Sequence, residues 1–280
     1  MEEKSKLKYR PSTHLLAFVD TLGFYKEIQK PNSVTIEEYL AVFDQLKESW
    51  RKRQNKKELK LTAIGDSVII GVDVDSCLKG DRVLPANQSE FNESLHNLCW
   101  AIAELQYGLA LKDIWTRGAI TLGPVDFDPE RGRLLGPAFH SAYNLESSVA
   151  KYPRVIIDGV VIRATGLGTS HDFVNAINSV YQQVTPTPVL YNYYTIQGPC
   201  NFDQDVPTFI DFASWGAYQL GGSPLKVFSE HISSRLKDDV KHFEKYRWLA
   251  NYIINVMVNT PKKEFDPINL SVFLELLQQG

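Results

Sequence analysis

The chain has 280 residues, 44% of them hydrophobic, which fits one packed domain with additions. Its 30 basic and 33 acidic residues give a formal net charge of −3, which excludes bulk electrostatic attraction to nucleic acid or an anionic membrane. Three cysteines lack metal-ligand spacing and indicate a reducing compartment. No apolar run approaches the roughly 20 residues that cross a bilayer, and the charged N-terminus lacks the apolar region of a secretion signal, so we expect a cytoplasmic protein.

The first part of the chain alternates between strand-like and helical patterns. Residues 14 to 22 form an apolar run that predicts a buried strand. Residues 35 to 57 carry apolar side chains at helical spacing and end in a basic run, which favours a helix C-terminus. Residues 58 to 74 hold two strand-like runs that are broken by Gly65 and Asp66, a pattern that predicts a hairpin.

The middle of the chain continues this alternation. Residues 92 to 113 have a strong helical pattern, and residues 115 to 128 predict a strand that contains two glycines. Residues 129 to 136 predict a turn and a returning strand. Residues 137 to 152 then predict an amphipathic helix.

The last part of the chain contains strand-like stretches followed by a helical one. Residues 153 to 164 begin as a strand, residues 201 to 222 contain short strand-like pieces, and residues 229 to 260 predict one long helix. Hairpins among alternating helices and strands argue against an all-parallel sheet. We therefore expect an α+β fold, with a ferredoxin-like βαββαβ core and a C-terminal extension that includes the long helix.

Two carboxylates fall at the ends of adjacent strands in such a core. Asp20 closes the first strand, and Asp66 occupies the turn of the hairpin. Side by side they would repel each other and raise one pKa, and a divalent cation would relieve that repulsion. Oxygen ligands suit Mg²⁺ or Mn²⁺, which commonly keep water and substrate phosphates as further ligands. Either aspartate taken alone is more typical of a helix cap or a turn than of a metal site.

The residues that follow Asp20 predict a phosphate-binding turn. The sequence "DTLGF" leads towards an expected helix, whose N-terminal amide groups would hold phosphate oxygens. Gly23 would let the backbone approach the ligand closely. The candidate substrate-binding residues here are Thr21, Leu22, Gly23 and Phe24.

Four stretches, in order, resemble motifs of the class III nucleotidyl cyclases. "FVDTLGF" is similar to the first metal motif and "AIGDSVIIGV" to the second metal hairpin. "TRGAITLGPV" resembles the next strand, and "LLGPAFHSAYNLES" resembles the glycine and helix that follow it. The resemblance implies a catalytic core in residues 1 to 165. Residues 166 to 280 would complete the core and add the C-terminal helical extension.

The resemblance also implies a homodimer with shared active sites. One chain would bind two divalent cations, Mg²⁺ or Mn²⁺, through Asp20, Asp66 and the carbonyl of Thr21. The partner's helix would supply an Asn and an Arg, but these positions fall on His140 and Asn144 in this chain. The candidate catalytic residues are therefore Asn144 and His140, together with a substitute cation, for which Arg117 and Arg133 are candidates.

The base-selecting positions of this family also differ in this chain. Thr62 and Arg133 occupy them, and neither matches the adenine or the guanine pattern. A small hydroxyl and an arginine suit the edge of a pyrimidine base. The motifs "FVDTLGF" and "YNLES" also resemble those of the pyrimidine cyclases of the Pycsar anti-phage system. The expected activity is therefore synthesis of cCMP or cUMP from CTP or UTP, with the product sensed by a separate effector protein. A purine cyclase with unusual base contacts and an inactive cyclase-like nucleotide sensor remain alternatives.

Overall fold

A computed structural model describes residues 11–23, 36–52, 58–183, 187–191, 207–221 and 223–259. The strands in these ranges are β1 (Thr13–Thr21), β2 (Lys60–Ile64), β3 (Ser67–Asp73), β4 (Leu78–Lys79), β5 (Arg82–Val83), β6 (Thr116–Pro124), β7 (Asp126–Asp128), β8 (Arg133–Leu135) and β9 (Val155–Ile157). The α-helices are α1 (Ile36–Lys52), α2 (Gln88–Ala110), α3 (Pro137–Ser148), α4 (Gly159–Ala164), α5 (Ser170–Asn178), α6 (Phe212–Leu220), α7 (Ser223–Asp238) and α8 (Phe243–Asn259). None of the helices in the described ranges is long and apolar enough to cross a membrane.

The central sheet has five strands in the order β2-β3-β1-β6-β9. β1 runs antiparallel to both β3 and β6, β2 and β3 form the predicted hairpin, and β9 joins the edge parallel to β6. The chain order β1-α1-β2-β3-α2-β6 is a ferredoxin-like βαββαβ path. The predicted α+β fold is therefore confirmed. Two short ribbons, β4-β5 and β7-β8, lie outside the sheet.

The two faces of the sheet receive alternate residues of β1. Leu15 and Val19 join the large apolar cluster that α1 and α2 complete. Leu16 and Phe18 point to the opposite face, into a smaller cluster shared with α3. This alternation follows from the two-residue period of a strand. Asp20 continues the second series, so its side chain belongs to the α3 face.

Helix α3 lies close against its face of the sheet. Ala138, Ala142 and Glu146, spaced four residues apart, are the buried residues of this helix. A Cβ atom at Gly123 of β6 would lie 3.5 Å from the Cβ of Ala138, which shows how closely α3 approaches β6. The small residues therefore fix the distance between α3 and the strands.

Among the C-terminal helices, α6 packs on α2, and α7 and α8 pack on α6. The ring of Trp215 in α6 meets those of Trp100 and Tyr107 in α2 edge to face. Gly216 allows this approach, because a Cβ atom there would overlap the ring of Tyr107. Residues from both halves of the chain belong to one continuous apolar cluster. The boundary between residues 165 and 166 remains a sequence prediction.

The outer edge of β9 is covered by a later segment of the chain. Ile156 forms an isolated antiparallel bridge with Phe209. The N–H of Ile157 donates to the carbonyl of Thr208 at 2.7 Å, and the N–H of Ile210 donates to the carbonyl of Val155 at 2.9 Å. The segment around residue 209 therefore satisfies backbone groups that an edge strand would leave open.

Each of the two strand-like stretches in this region also contains a helix that the sequence analysis did not predict. The run from 153 to 164 forms β9 and then turns into α4, because the side chain of Asp158 caps that helix by accepting from the N–H of Val160 at 3.1 Å. In the described part of the 201 to 222 stretch, the bridges at the edge of β9 give way to α6. Asp211 caps α6. The aromatic and apolar composition of these segments favoured strands, but the capping aspartates favour helices.

The single long helix predicted for residues 229 to 260 is also wrong. Two helices, α7 and α8, occupy this region, separated by Asp239 and a 3₁₀ turn over Val240–His242. The side chain of Asp239 accepts from the N–H of His242 at 3.3 Å, and the ring Nδ1 of His242 lies 2.9 Å from the same carboxylate. These local bonds compete with helical hydrogen bonds and start a new helix.

Candidate active site

Asp20 lies near the end of β1, between two polar side chains on neighbouring strands. In the sheet register it pairs with Ser67 of β3 and with Arg117 of β6, so the three side chains share one face. The hydroxyl of Ser67 donates to Oδ1 of Asp20 at 2.8 Å. This bond orients the carboxylate at the strand end.

Asp66 sits beside Asp20 in the turn between β2 and β3. Gly65 precedes it with φ +64°, a conformation that glycine adopts without strain. The hydroxyl of Tyr39, from α1, donates to the backbone carbonyl of Asp66 at 3.2 Å. Burial raises the pKa of Tyr39, and the charges of Asp66 and Asp20 raise it further, so its hydroxyl stays protonated as a donor. Helix α1 therefore holds the hairpin turn in place.

The charges around Asp20 shift its pKa in opposite directions. Burial is the main cause that raises the pKa of Asp20. The hydrogen bond from Ser67 lowers it, the charge of Asp66 raises it, and the charge of Arg117 lowers it. A half-buried carboxylate next to a like charge is the arrangement that a bound cation would stabilise.

The donor chemistry at Asp20 and Asp66 fits a hard divalent cation. Both supply carboxylate oxygens, which Mg²⁺ and Mn²⁺ prefer. In the part of the chain that the structure describes, no group of three or more His, Cys, Asp or Glu residues could hold a metal ion. Two carboxylates are nevertheless enough for an ion that completes its coordination with water and substrate phosphates.

The turn after Asp20 differs in one respect from the predicted phosphate site. The N–H of Leu22 donates to the carbonyl of Trp115 at 2.7 Å, so this amide is not available for a phosphate. Thr21 is buried. Gly23 is exposed and has φ +72°. Phe24 lies outside the described residues.

Arg117 contacts a carboxylate of α3. Its Nε lies 2.5 Å from Oε1 of Glu146, and only 3% of Glu146 is exposed. Burial raises the pKa of the Glu146 carboxyl, and the charge of Arg117 lowers it. The ammonium group of Lys245 in α8 also influences this carboxylate. Arg117 thus lies beside the site with its charge already balanced.

His140 and Asn144 lie on the exposed side of α3. They follow Ala138 and Ala142 by two residues, which is about 200° around a helix. Because Ala138 and Ala142 face the sheet, the two polar residues point away from it. Within one chain they do not approach Asp20.

The two predicted base-selecting residues have different surroundings. Thr62 pairs with Ile69 in the sheet register and is half-buried on the same face as Asp20. Arg133 lies in the β7-β8 ribbon, where it forms ion pairs with Asp126 at 3.4 Å and Asp128 at 3.1 Å. Arg133 is therefore bound within its own ribbon.

Three residues of the site were missed by the sequence analysis. Glu146 had a usable signal, since it continues the four-residue spacing of Ala138 and Ala142 on the apolar side of α3. Ser67 directly follows Asp66, but only the strand register brings it to Asp20. Tyr39 looks like any other residue of the apolar stripe of α1, and its hydroxyl contact depends on tertiary packing.

No family model matches the chain, and no curated protein does. Among solved structures, the adenylyl cyclase CyaB from P. aeruginosa is 11% identical, with a TM-score of 0.40 over 72% of this chain and 94% of that one. The catalytic core of a rhodopsin-guanylyl cyclase with converted specificity, in complex with ATPαS, is 14% identical, with a TM-score of 0.36 over 72% and 96%. The guanylyl cyclase Cya2 is 11% identical, with a TM-score of 0.32 over 72% and 92%. Identity and TM-score this low do not transfer an activity to the chain.

Proposed function

We propose that the chain is a nucleotidyl cyclase that converts CTP or UTP to the 3′,5′-cyclic monophosphate and pyrophosphate. One observation carries this proposal. Asp20 at a strand end and Asp66 in the adjacent hairpin turn share an electrostatic environment, on a ferredoxin-like sheet. A half-buried carboxylate whose pKa is raised by burial and by a like charge is typical of a functional site.

The reaction forms one bond and breaks another at the same phosphorus. The 3′-oxygen of the ribose loses its proton to solvent and bonds to the α-phosphorus. The bond from that phosphorus to the oxygen that bridges to the β-phosphate breaks, and pyrophosphate leaves with that oxygen. Asp20, Asp66 and the carbonyl of Thr21 would hold two divalent cations, Mg²⁺ or Mn²⁺. When bound, these ions would acidify the ribose hydroxyl and neutralise phosphate charge.

Neighbouring residues position the two carboxylates of this site and keep Asp20 ionised. Ser67 favours the ionised form of Asp20 by donating to it. Tyr39 fixes the turn that carries Asp66. Gly23 offers an exposed backbone with φ +72° next to the site, where phosphate oxygens would lie. The backbone N–H of Leu22 donates to the carbonyl of Trp115, and this bond anchors the turn.

A homodimer with shared sites gives the exposed residues of α3 a role. His140 and Asn144 point away from the sheet of their own chain and would reach the active site of a second copy. Tyr143 of the same helix is also exposed, at 49%. Burial of such side chains on association would favour the dimer.

The choice of a pyrimidine rests on Thr62, and on the likeness to the Pycsar enzymes. Thr62 lies on the site face, with a short side chain that leaves room and a hydroxyl that can donate or accept. The cyclic nucleotide would serve as an anti-phage second messenger in the cytoplasm, sensed by a separate effector protein. Arg133, bound to Asp126 and Asp128, would act on the base only by leaving those partners.

The test is cyclisation by the purified full chain with Mn²⁺ and each of the four nucleoside triphosphates in turn. Cyclic product from CTP or UTP, lost in Asp20→Ala and Asp66→Ala, is the expected result. Asp73→Ala is the matched control, since Asp73 is an exposed carboxylate at the other end of β3. Near wild-type turnover by either site variant contradicts the proposal. Product from ATP or GTP alone contradicts the pyrimidine assignment and keeps the cyclase.

A catalytically inactive nucleotide sensor is the second candidate, and one observation favours it. Asn144 is neutral, and both candidate cations are already paired, Arg117 with Glu146 and Arg133 with two aspartates. Developing phosphate charge would then lack a dedicated partner. Saturable nucleotide binding without product from any triphosphate is the result that would select the sensor.

A further inference from the structure

Asp20 and Arg117 are placed to form an ion pair with each other. They face each other directly in the register of β1 and β6, on the same side of the sheet. Side chains at directly opposite positions have Cβ atoms about 4.5–5.5 Å apart. An arginine fork readily binds a carboxylate at such a distance. A paired Asp20 would have little negative charge left to offer a cation.

The guanidinium instead lies on Glu146. The Nε to Oε1 distance is 2.5 Å, and among the described residues no ion pair joins Arg117 to Asp20. Glu146 comes from a different layer, since α3 lies across the face of the sheet that carries both other residues. Its position is tightly determined, because it is buried in line with Ala138 and Ala142.

Stability alone does not explain a buried carboxylate at this place. Desolvation of two charges offsets most of their attraction, and an apolar pair of similar volume is often as stable or more stable. The charge of Glu146 also acts unfavourably on Asp20, since the two carboxylates repel each other. The chain keeps Glu146 although both effects count against it.

We propose that Glu146 is a positioning residue that holds the Arg117 guanidinium away from Asp20 and so keeps the Asp20 carboxylate available for a divalent cation. This inference rests on the proposed function, because it concerns the same cation site. Loss of the Glu146 charge releases Arg117, which then pairs with Asp20 and competes with the cation. Loss of Arg117 removes the competitor.

The test is Mn²⁺ binding to the metal-free full chain, followed by the electron paramagnetic resonance signal of free Mn²⁺. Glu146→Gln should raise the Mn²⁺ Kd by about 10- to 100-fold, the usual effect of changing a residue that positions a ligand. The double variant Glu146→Gln/Arg117→Gln should return to within about threefold of the wild-type Kd, since the two residues are coupled. Circular dichroism checks that each variant is folded.

The outcomes separate this inference from the function on which it rests. An unchanged Kd in Glu146→Gln overturns the inference, and so does a double variant as weak as Glu146→Gln, since a purely structural ion pair predicts that result. Wild-type chain that does not bind Mn²⁺, or that binds it equally well as Asp20→Ala, overturns the proposed function and the inference with it.

Arg117→Gln alone provides an answer if Glu146→Gln does not fold. The buried Glu146 can then accept a proton, so this variant avoids an uncompensated charge. It should bind Mn²⁺ at least as tightly as the wild type. A Kd raised by about tenfold or more would overturn the inference, because removal of a competitor cannot weaken binding.

Discussion

The two faces of the central sheet are built from the same strands but have different contents. On the face under α1 and α2, β1 places Ala17 and Val19 in a fully buried cluster. On the α3 face it places Phe18 in a small cluster and then Asp20 at the open end. Neighbouring residues of one strand therefore have separate roles. The first face stabilises the fold, and the second carries the polar groups of the site.

This division explains how the molecule tolerates half-buried charge. Helix α3 covers only part of its face, so the strand ends beyond it keep access to solvent and ligand. Polar side chains such as Ser67 and Arg117 converge there from three adjacent strands. The cost of the charges is offset by the large apolar cluster on the opposite face.

The largest effect should come from placing a carboxylate on the opposite face of β1, one residue before Asp20. Val19→Asp places a carboxylate in the fully buried cluster with no partner, which costs several kcal/mol and should prevent stable folding. Circular dichroism and thermal melting provide the measurement. A variant that melts at the wild-type temperature would show that the two faces are not as different as their burial indicates.

A smaller effect is expected from the hydrogen bond to Asp20. Ser67→Ala removes the donor that lowers the pKa of Asp20, so the acidic limb of the activity–pH profile should move to higher pH. Because a hydrogen bond to a charged group contributes about 1.5–3 kcal/mol, activity at neutral pH should fall by about tenfold or more. The control is Ser76→Ala, a serine remote from the site. An unshifted acidic limb would count against the assigned role.

Neutralising Asp20 should stabilise the metal-free chain. Since the pKa of Asp20 is raised in the folded state, its favourable contribution is present below the ordinary Asp pKa of about 3.9 and is lost as pH rises through the folded value. Asp20→Asn lacks this loss and should be more stable than wild type at pH 7, with the difference fading in acid. Urea unfolding in EDTA across this pH range measures it. Parallel curves at all pH values would refute the prediction.

The smallest effect should come from Thr62. Thr62→Val keeps the shape and removes one hydroxyl on the site face, so stability should stay within about 0.5 kcal/mol. If the hydroxyl contacts the base, the ratio of kcat/KM for CTP and UTP should change by about 2- to 10-fold, the value of one hydrogen bond. An unchanged ratio would remove Thr62 from base selection.

The sequence predicted the core better than its margins. The β2-β3 hairpin, α2 and the position of Asp20 and Asp66 followed from apolar periodicity and one glycine. The helix starts that the sequence analysis did not predict share a cause. Asp158, Asp211 and Asp239 each start a helix or helical turn beside apolar residues. In each case the side-chain carboxylate accepts a hydrogen bond from a backbone N–H two or three residues later. A single aspartate beside an apolar run carries too weak a signal to outweigh the composition of the run.

The contacts around the two aspartates depended on register and on tertiary packing. Arg117 was identified as a candidate cation, but its partner Glu146 is 29 positions away in the printed sequence. Periodicity within α3 indicates that Glu146 faces inward. It does not indicate which strand residue lies beneath it, because that depends on how α3 is placed on the sheet.

The covered edge of β9 determines where the protein can be truncated or fused to another protein. A fragment that stops near residue 165 would expose the backbone groups now bonded to Thr208 and to Ile210. It would also expose the apolar surface under α6 and α8. Such an open edge is a template for intermolecular strand pairing, so the fragment should aggregate on expression. Truncation or fusion near residue 165 should therefore be avoided.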